Sequence, residues 1–408
     1  MGNKWVTGWH LPSSWARYRT IKTSVAVSDS PAGSFSYYGT VHHPGGKPYG
    51  LGKDAYNFDP GVLLDKDGRV YMYTGFSPDS GTLRFLMGLR GGTYNGGTVV
   101  ELEQDMITIR GEEHPTIPGK CMAAGTEFED HPFFEASSIR RINDLYYLVY
   151  SSLLSHELCY ATARSPFGPW HYGGTLVSIG DIGYHGRDRK HARNFLGNTH
   201  GGMVCVKGQW YIFYHRQTNR QKCARQGCAE KITIREDGSI PQVEVTSCGL
   251  NDGPLKGTGT YEARIACNLW GRKGTCAYEN SRPVKDDNNP YFTQSGTDRD
   301  YYPDQYIANL RKGATAGYKY FDFSSERPDR ISVTVRGSCS GKLYVFTDAE
   351  PMRVGKKSAM AARILLKPSA SWQTFSADLH VPEETSALYF QYLGEGAVDF
   401  RDFTLSSK

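Results

Sequence analysis

Apolar and polar residues alternate along this chain in short runs, and the runs are cut repeatedly by Gly, Asn, Asp and Pro. A period of two predicts strands, and no long stretch carries the 3.6-residue period of a helix. Three of the runs share one layout. Asp59-Pro60-Gly61-Val62-Leu63-Leu64 leads to Asp67-Gly68 and then Val70-Tyr71-Met72-Tyr73. Glu135-Ala136-Ser137-Ser138-Ile139 leads to Asn143-Asp144 and then Tyr146-Tyr147-Leu148-Val149-Tyr150. His200-Gly201-Gly202-Met203-Val204 leads to Lys207-Gly208 and then Trp210-Tyr211-Ile212-Phe213-Tyr214. Each copy reads as strand, tight turn and aromatic strand. Equivalent positions of repeated hairpins set around an axis point to one place, so an acid, a second acid and a histidine are expected to meet there.

The segment Met1-Gly2-Asn3-Lys4-Trp5-Val6-Thr7 has the turn and second strand of a fourth copy, so the chain is expected to begin inside a blade whose first strand is missing. The aromatic strands start after turns near residues 4, 68, 144 and 208, at intervals of 64, 76 and 64. That period suits four-stranded propeller blades with long loops. A second repeat agrees with it: Ser24 to Phe35, containing Ser30-Pro31-Ala32-Gly33, recurs 135 residues later as Cys159 to Trp170, containing Ser165-Pro166-Phe167-Gly168. The alternation continues in Lys231 to Arg235 and Gln242 to Thr246, both expected to be strands that complete the propeller. Asp286-Asp287-Asn288-Asn289-Pro290 reads as a polar linker. Beyond it, Ile331 to Arg336, Lys342 to Phe346 and Ala387 to Gln391 are spaced like strands of a β-sandwich. The expected organisation is all-β, with a propeller over residues 1–283 and a sandwich over 284–408.

A chain of 408 residues can bury two such cores. Its 47 basic and 42 acidic side chains are interspersed and leave a net charge of +5, which gives no basic stripe for nucleic acid. No apolar run reaches the roughly 18 residues a membrane-spanning helix needs. The 27 Tyr and 46 Gly fit short strands joined by turns, with ring faces suited to sugars. Nine cysteines without paired Cys-x-x-Cys spacing argue against a disulfide scaffold or a zinc ribbon, and point to a reducing, cytoplasmic setting.

The candidate chemistry has ordinary readings beside it. Asp59 before Pro60 is by itself a turn starter; its place in the repeat makes it a site carboxylate. Glu135 follows Phe133-Phe134 and is either a strand-edge Glu paired with Arg140 or Arg141, or a general acid whose apolar walls raise its pKa. His200 is a core histidine, a ligand to a central ion, or a group that orients the acids. Tyr214 to Arg220 is either a solvated loop or, through His215 and Arg216, a donor set for sugar hydroxyls.

With Phe58-Asp59-Pro60, Glu135 followed by Tyr146-Tyr147-Leu148-Val149-Tyr150-Ser151, and Asn198-Thr199-His200-Gly201 in these settings, residues 1–270 resemble glycoside hydrolase family 43. The resemblance implies a five-bladed β-propeller with its first blade missing here, and an inverting enzyme acting on arabinans and xylans. It implies that Glu135 is the general acid, that Asp59 tunes and orients that acid, and that His200 contacts a central calcium. The family's general base is an Asp on the first blade, yet residues 1–58 hold only Asp29 and Asp54, and neither precedes the hairpin pattern. An inverting enzyme needs a second carboxylate about 6.5–9.5 Å from the acid. The base is therefore expected to lie outside this chain, leaving it weakly active. The tail, through Gly317-Tyr318-Lys319-Tyr320-Phe321, Trp372-Gln373-Thr374-Phe375 and Ala387-Leu388-Tyr389-Phe390, resembles a family 6 carbohydrate-binding module. Phe134, His215, Arg216, Tyr318 and Trp372 are the expected sugar contacts, and an oligo- or polysaccharide the expected partner. A carbohydrate-binding protein without hydrolysis, or a propeller serving as an interaction scaffold, are the competing readings.

Overall fold

The computed structural model describes residues 5–9, 22–50, 54–79, 95–278, 288–296, 304–347 and 360–407. Among them the protein is all-β, with one helical turn, α1 (Lys120–Ala123), and three 3-10 turns. No helix there is long and apolar enough to cross a membrane. The chain divides into two compact units. One holds Met1–Leu176, Thr199–Tyr214 and Ile232–Gln242; the other holds Val177–Asn198, His215–Lys231 and Val243–Lys408.

In the first unit the strands follow one another through successive sheets. β1 (Trp5–Trp9), β2 (Ser24–Ser28) and β3 (Ser36–Thr40) make one, and β4 (Gly61–Leu64), β5 (Val70–Gly75), β6 (Gly96–Leu102) and β7 (Ile109–Pro118) the next. β8 (Phe133–Ile142), β9 (Leu145–Ser152), β10 (Glu157–Ala163) and β11 (His171–Ser178) make a third, and β12 (Gly202–Val206) pairs antiparallel with β13 (Gln209–Gln217). The three expected hairpins are therefore β4–β5, β8–β9 and β12–β13. Their turns carry the left-handed residues that tight hairpins require: Gly68 at φ 82°, Asn143 at 54°, and Lys207 and Gly208 at 50° and 85°. Of the fourth copy, Met1–Lys4 lie outside the described residues, while Trp5–Trp9 pairs with β2.

The aromatic strands fill the core because alternate and even successive positions are covered. Tyr73, Phe133, Leu148 and Tyr150 are fully buried in one cluster with Val99 and Ile117. Each such side chain contributes about 1.5–3 kcal/mol on burial. β4 and β12 flank β8, so the first strands of the three hairpins lie side by side.

The second unit begins its strands with β14 (Arg225–Lys231), followed by β15 (Leu255–Lys256), β16 (Gly259–Glu262), β17 (Asn268–Trp270), β18 (Tyr291–Ser295), β19 (Asp304–Leu310) and β20 (Thr315–Asp322). Then come β21 (Arg330–Gly337), β22 (Ser340–Phe346), β23 (Met360–Leu366), β24 (Ser369–Asp378), β25 (Thr385–Glu395) and β26 (Val398–Ser406). One six-stranded sheet runs β15-β20-β25-β22-β23 with β17 beside β20; the other runs β18-β19-β26-β21-β24 with β16 beside β26. They share an apolar core in which Tyr318 meets Phe403 at 4.8 Å and Phe390 meets Phe400 at 5.2 Å between ring centroids. β15, β16 and β17 precede residue 283 and pair with strands that follow it. Asp286 and Asp287 of the expected linker lie outside the described residues.

The alternation at Lys231 to Arg235 and Gln242 to Thr246 does not make strands beyond the end of β14. In the second segment, side chains take the place of a neighbouring strand. Val245 N–H donates to Asp181 Oδ1 at 2.8 Å and Thr246 N–H to Glu230 Oε1 at 2.8 Å.

Candidate active site

Asp59 and Glu135 hold unusual backbone positions. Asp59, just ahead of β4, sits at φ 48°, a left-handed conformation that Asp tolerates better than most residues. Glu135 lies inside β8 at a double irregularity. Phe133 pairs with Ser152, Glu135 with Ser151 and Ser138 with Val149, so β8 carries an extra residue on each side of Glu135. Ala136, next in the chain, has φ 77°. A bulge re-aims the side chains around it, and such strain concentrates at sites. Glu135 is 8% exposed.

The glycines of the repeat explain how close the first strands come. A Cβ on Gly61 would lie 2.4 Å from Ser137 O on β8. On Gly202 it would lie 2.3 Å from Ser138 Oγ, and on Gly201 it would strike Phe213 O. Both β4 and β12 thus press backbone against β8, which is the convergence the repeat predicts. The structure brings Asp59 and His200 together: Nε2 of the imidazole is 3.0 Å from Asp59 Oδ2, outside hydrogen-bond alignment. The His200 side chain is 39% and the Asp59 side chain 20% exposed.

A row of rings accompanies the two acids. Phe58, which precedes Asp59, stands 4.8 Å from Phe76, and Phe76 stands 5.2 Å from Phe134, which precedes Glu135. Tyr56 continues the row, 5.9 Å from Phe76. Ser77 N–H donates to Phe134 O at 2.8 Å and fixes the end of the row. Phe58, Phe76 and Phe134 keep part of their surface open, so they offer ring faces to a sugar. Phe76 was not singled out from the sequence, and Phe58 only as part of the run Phe58-Asp59-Pro60, although each flanks a repeat strand.

The other expected contacts belong to the second unit and serve its interior. Arg216 is 5% exposed; it donates to Gln226 Oε1 at 3.0 Å, to Arg264 O at 2.7 Å and to Ala266 O, and its guanidinium lies 3.7 Å from the Phe292 ring centroid. It is a structural arginine rather than a sugar donor. Tyr318 has no exposed surface and its hydroxyl donates to Ala263 O at 3.0 Å, which makes it a core residue and not a stacking platform. Trp372 is half-buried, with the Arg336 and Arg401 guanidinium groups 4.3 and 5.2 Å from its centroid and Tyr306 edge-on at 5.4 Å. Arg336 is in turn held by Asp399 Oδ2 at 3.1 Å and the Tyr306 hydroxyl at 2.9 Å. His215 is half-buried on β13.

Asp29 is exposed in the turn after β2. Asp54 is engaged by His43 Nε2 at 2.9 Å and by the Gly50 N–H at 3.0 Å. Calcium takes six to eight oxygen ligands. His200 and Asp59 supply one nitrogen and one carboxylate, so this pair alone is not a calcium cage.

The profile of glycosyl hydrolases family 43 matches residues 2–240. A xylosidase/arabinosidase of Thermoclostridium stercorarium is 42% identical over 386 residues, 94% of this chain and 77% of that protein. Among solved structures, a family 43 arabinoxylan arabinofuranohydrolase from Bacillus subtilis in complex with cellotetraose aligns with TM-score 0.46 and 19% identity over 95% of this chain and 74% of its own. CsCBM6-3 from Clostridium stercorarium in complex with cellobiose aligns with TM-score 0.29 and 12% identity over 38% of this chain and 99% of its own. With the family profile matched over more than half its length and a 42%-identical relative along nearly all of it, the chain belongs to glycosyl hydrolases family 43.

Proposed function

We propose that the chain is a glycosidase lineage member acting on arabinofuranosyl or xylosyl linkages of plant cell-wall polysaccharides, with inversion at the anomeric carbon. The observation that carries this reading is the register: Asp59 and Glu135 occupy equivalent places ahead of or within β4 and β8, whose backbones touch at Gly61 and Ser137. Glu135 protonates the leaving oxygen; Asp59, steadied by His200, keeps the acid aligned and its proton in place. The aromatic row beside them binds the sugar face.

The sheets of the first unit are read as blades of a five-bladed propeller, and the two six-stranded sheets of the second as a β-sandwich module for polysaccharide. Residues 1–283 form the glycosidase part and 284–408 the module, to which 255–270 lend three short strands. Asp29 is exposed after β2, and Asp54 is engaged by His43 and the Gly50 N–H, so neither is assigned as the water-activating base. The second reading is a carbohydrate-binding protein without hydrolysis.

The two readings separate on Glu135→Gln, assayed with a nitrophenyl glycoside and with xylo- and arabino-oligosaccharides. General acid catalysis is worth about 10²- to 10⁴-fold. The expected loss is in that range for oligosaccharides and smaller for the nitrophenyl glycoside, whose leaving group needs little protonation. Equal losses on both would remove the acid role. Absence of turnover in either protein, with oligosaccharide binding retained, would establish the binding-protein reading.

A further inference from the structure

Away from Asp59 and His200, β10 presents Glu157 and Cys159 two residues apart, hence on the same face of the strand. Glu157 is 3% exposed and Cys159 fully enclosed. His131, just ahead of β8, meets both. Its Nδ1 lies 2.7 Å from Glu157 Oε1 and 3.8 Å from Cys159 Sγ, and Sγ lies 3.4 Å from the same Oε1. Around them the Ser152 hydroxyl donates to Oε1 at 2.6 Å and the Thr175 hydroxyl to Oε2 at 3.1 Å. Thr175 Oγ1 and the Tyr172 hydroxyl are 3.7 and 3.8 Å from the sulfur, and the Tyr172 ring stacks on His131 at 5.0 Å. A buried thiol ordinarily behaves as a small apolar group. This one is ringed by hydrogen-bonding atoms.

We propose that His131, Glu157 and Cys159 form a binding site for a borderline-soft divalent cation of the zinc class. Imidazole nitrogen, thiolate and carboxylate are the ligand types such ions select. With metal–ligand lengths of about 2.0–2.3 Å, a tetrahedral site separates its donors by about 3.3–3.6 Å. Two of the three separations here, 3.4 and 3.8 Å, are already close to that. The third is the 2.7 Å imidazole–carboxylate hydrogen bond, which opens as its proton leaves. The charge balances as well. One divalent ion with thiolate, imidazole and carboxylate sums to zero. Binding therefore leaves no net charge in a buried place and releases the thiol proton. Ser152 and Thr175 hold the carboxylate from behind, as outer groups of metal sites do. The ion enters from the His131 side, where the ring is 27% exposed.

The test titrates the full chain with zinc against a chromophoric chelator, and with cadmium followed by thiolate charge-transfer absorbance. Cys121, Cys205, Cys223 and Cys276 are exposed and will take metal of their own, so the comparison is between variants. Wild type is expected to bind one equivalent more than Cys159→Ser or His131→Gln, with proton release accompanying that equivalent. Zinc is expected to raise the melting temperature of wild type and not of Cys159→Ser. Equal stoichiometry in wild type and Cys159→Ser overturns the site. If Cys159→Ser does not fold, His131→Gln, which alters a partly exposed ring, decides it in the same way.

Discussion

Asp65 shows how one enclosed carboxylate ties two repeats together. Its side chain is 2% exposed and accepts from Arg141 Nη1 at 2.7 Å, from the Tyr146 hydroxyl at 2.5 Å and from the Lys66 N–H at 2.7 Å. Burial alone would raise the carboxyl's pKa, but the bonds from Tyr146, Arg141 and Lys66 outweigh it and hold the group below its ordinary value. Because the folded pKa is depressed, the unfolded chain takes up the proton first. The stabilisation is complete above the unfolded value and is lost as pH falls through the folded one. Asp65→Asn is therefore expected to be less stable than wild type at neutral pH, with the gap closing below about pH 4, near the ordinary Asp pKa. Urea melts of both proteins across that range check it, and a gap that stays constant would mean that the ion pair is not responsible.

At the level of elements, the close approach of β4 to β8 is the contact on which both acids depend. Ala at position 61 would put a methyl 2.4 Å from Ser137 O, a backbone atom that cannot rotate away. Overpacking of this kind costs about 1–3 kcal/mol. Gly61→Ala should lower the melting temperature and also the hydrolytic rate, since the strand that moves carries Asp59 or Glu135. Gly227→Ala, where a Cβ meets nothing within 4 Å, is the neutral control. A Gly61→Ala protein with unchanged rate would detach the acids from this contact. The hairpins that make the contact were legible in the sequence because each has a turn residue with positive φ between two alternating runs. The bulge at Glu135 was not legible, since Ala136-Ser137-Ser138 continues the strand pattern without a break. Nor was the loop at Val245 and Thr246. There the apolar alternation is real, but Asp181 and Glu230, distant in sequence, take the backbone donors that a strand would have offered its neighbour. Arg216 and Tyr318 failed as sugar contacts for a related reason: their partners Ala266, Arg264 and Ala263 come from a 3-10 turn and its C-cap that carry no sequence signature.

At the scale of the whole molecule, the polar run before Pro290 reads as a boundary, yet the second unit draws its strands from both sides of it. β20 pairs in parallel with β15 and antiparallel with β17, and β26 pairs with β16. Ala263 and Ala266, between β16 and β17, and Leu269 of β17 are fully buried in the same core as Phe321 and Phe403. A fragment of residues 284–408 would expose β20 as an unpaired edge and leave apolar core atoms uncovered, which invites association between copies. A fragment of residues 255–408 retains the three strands and their core residues. The longer fragment is therefore expected to elute as a monomer and melt at the higher temperature, and the shorter one to aggregate or melt lower. Size-exclusion chromatography and thermal melts of the two compare them directly. Equal behaviour would mean that β15, β16 and β17 decorate the second unit without holding it together, and would return the domain boundary to residue 283.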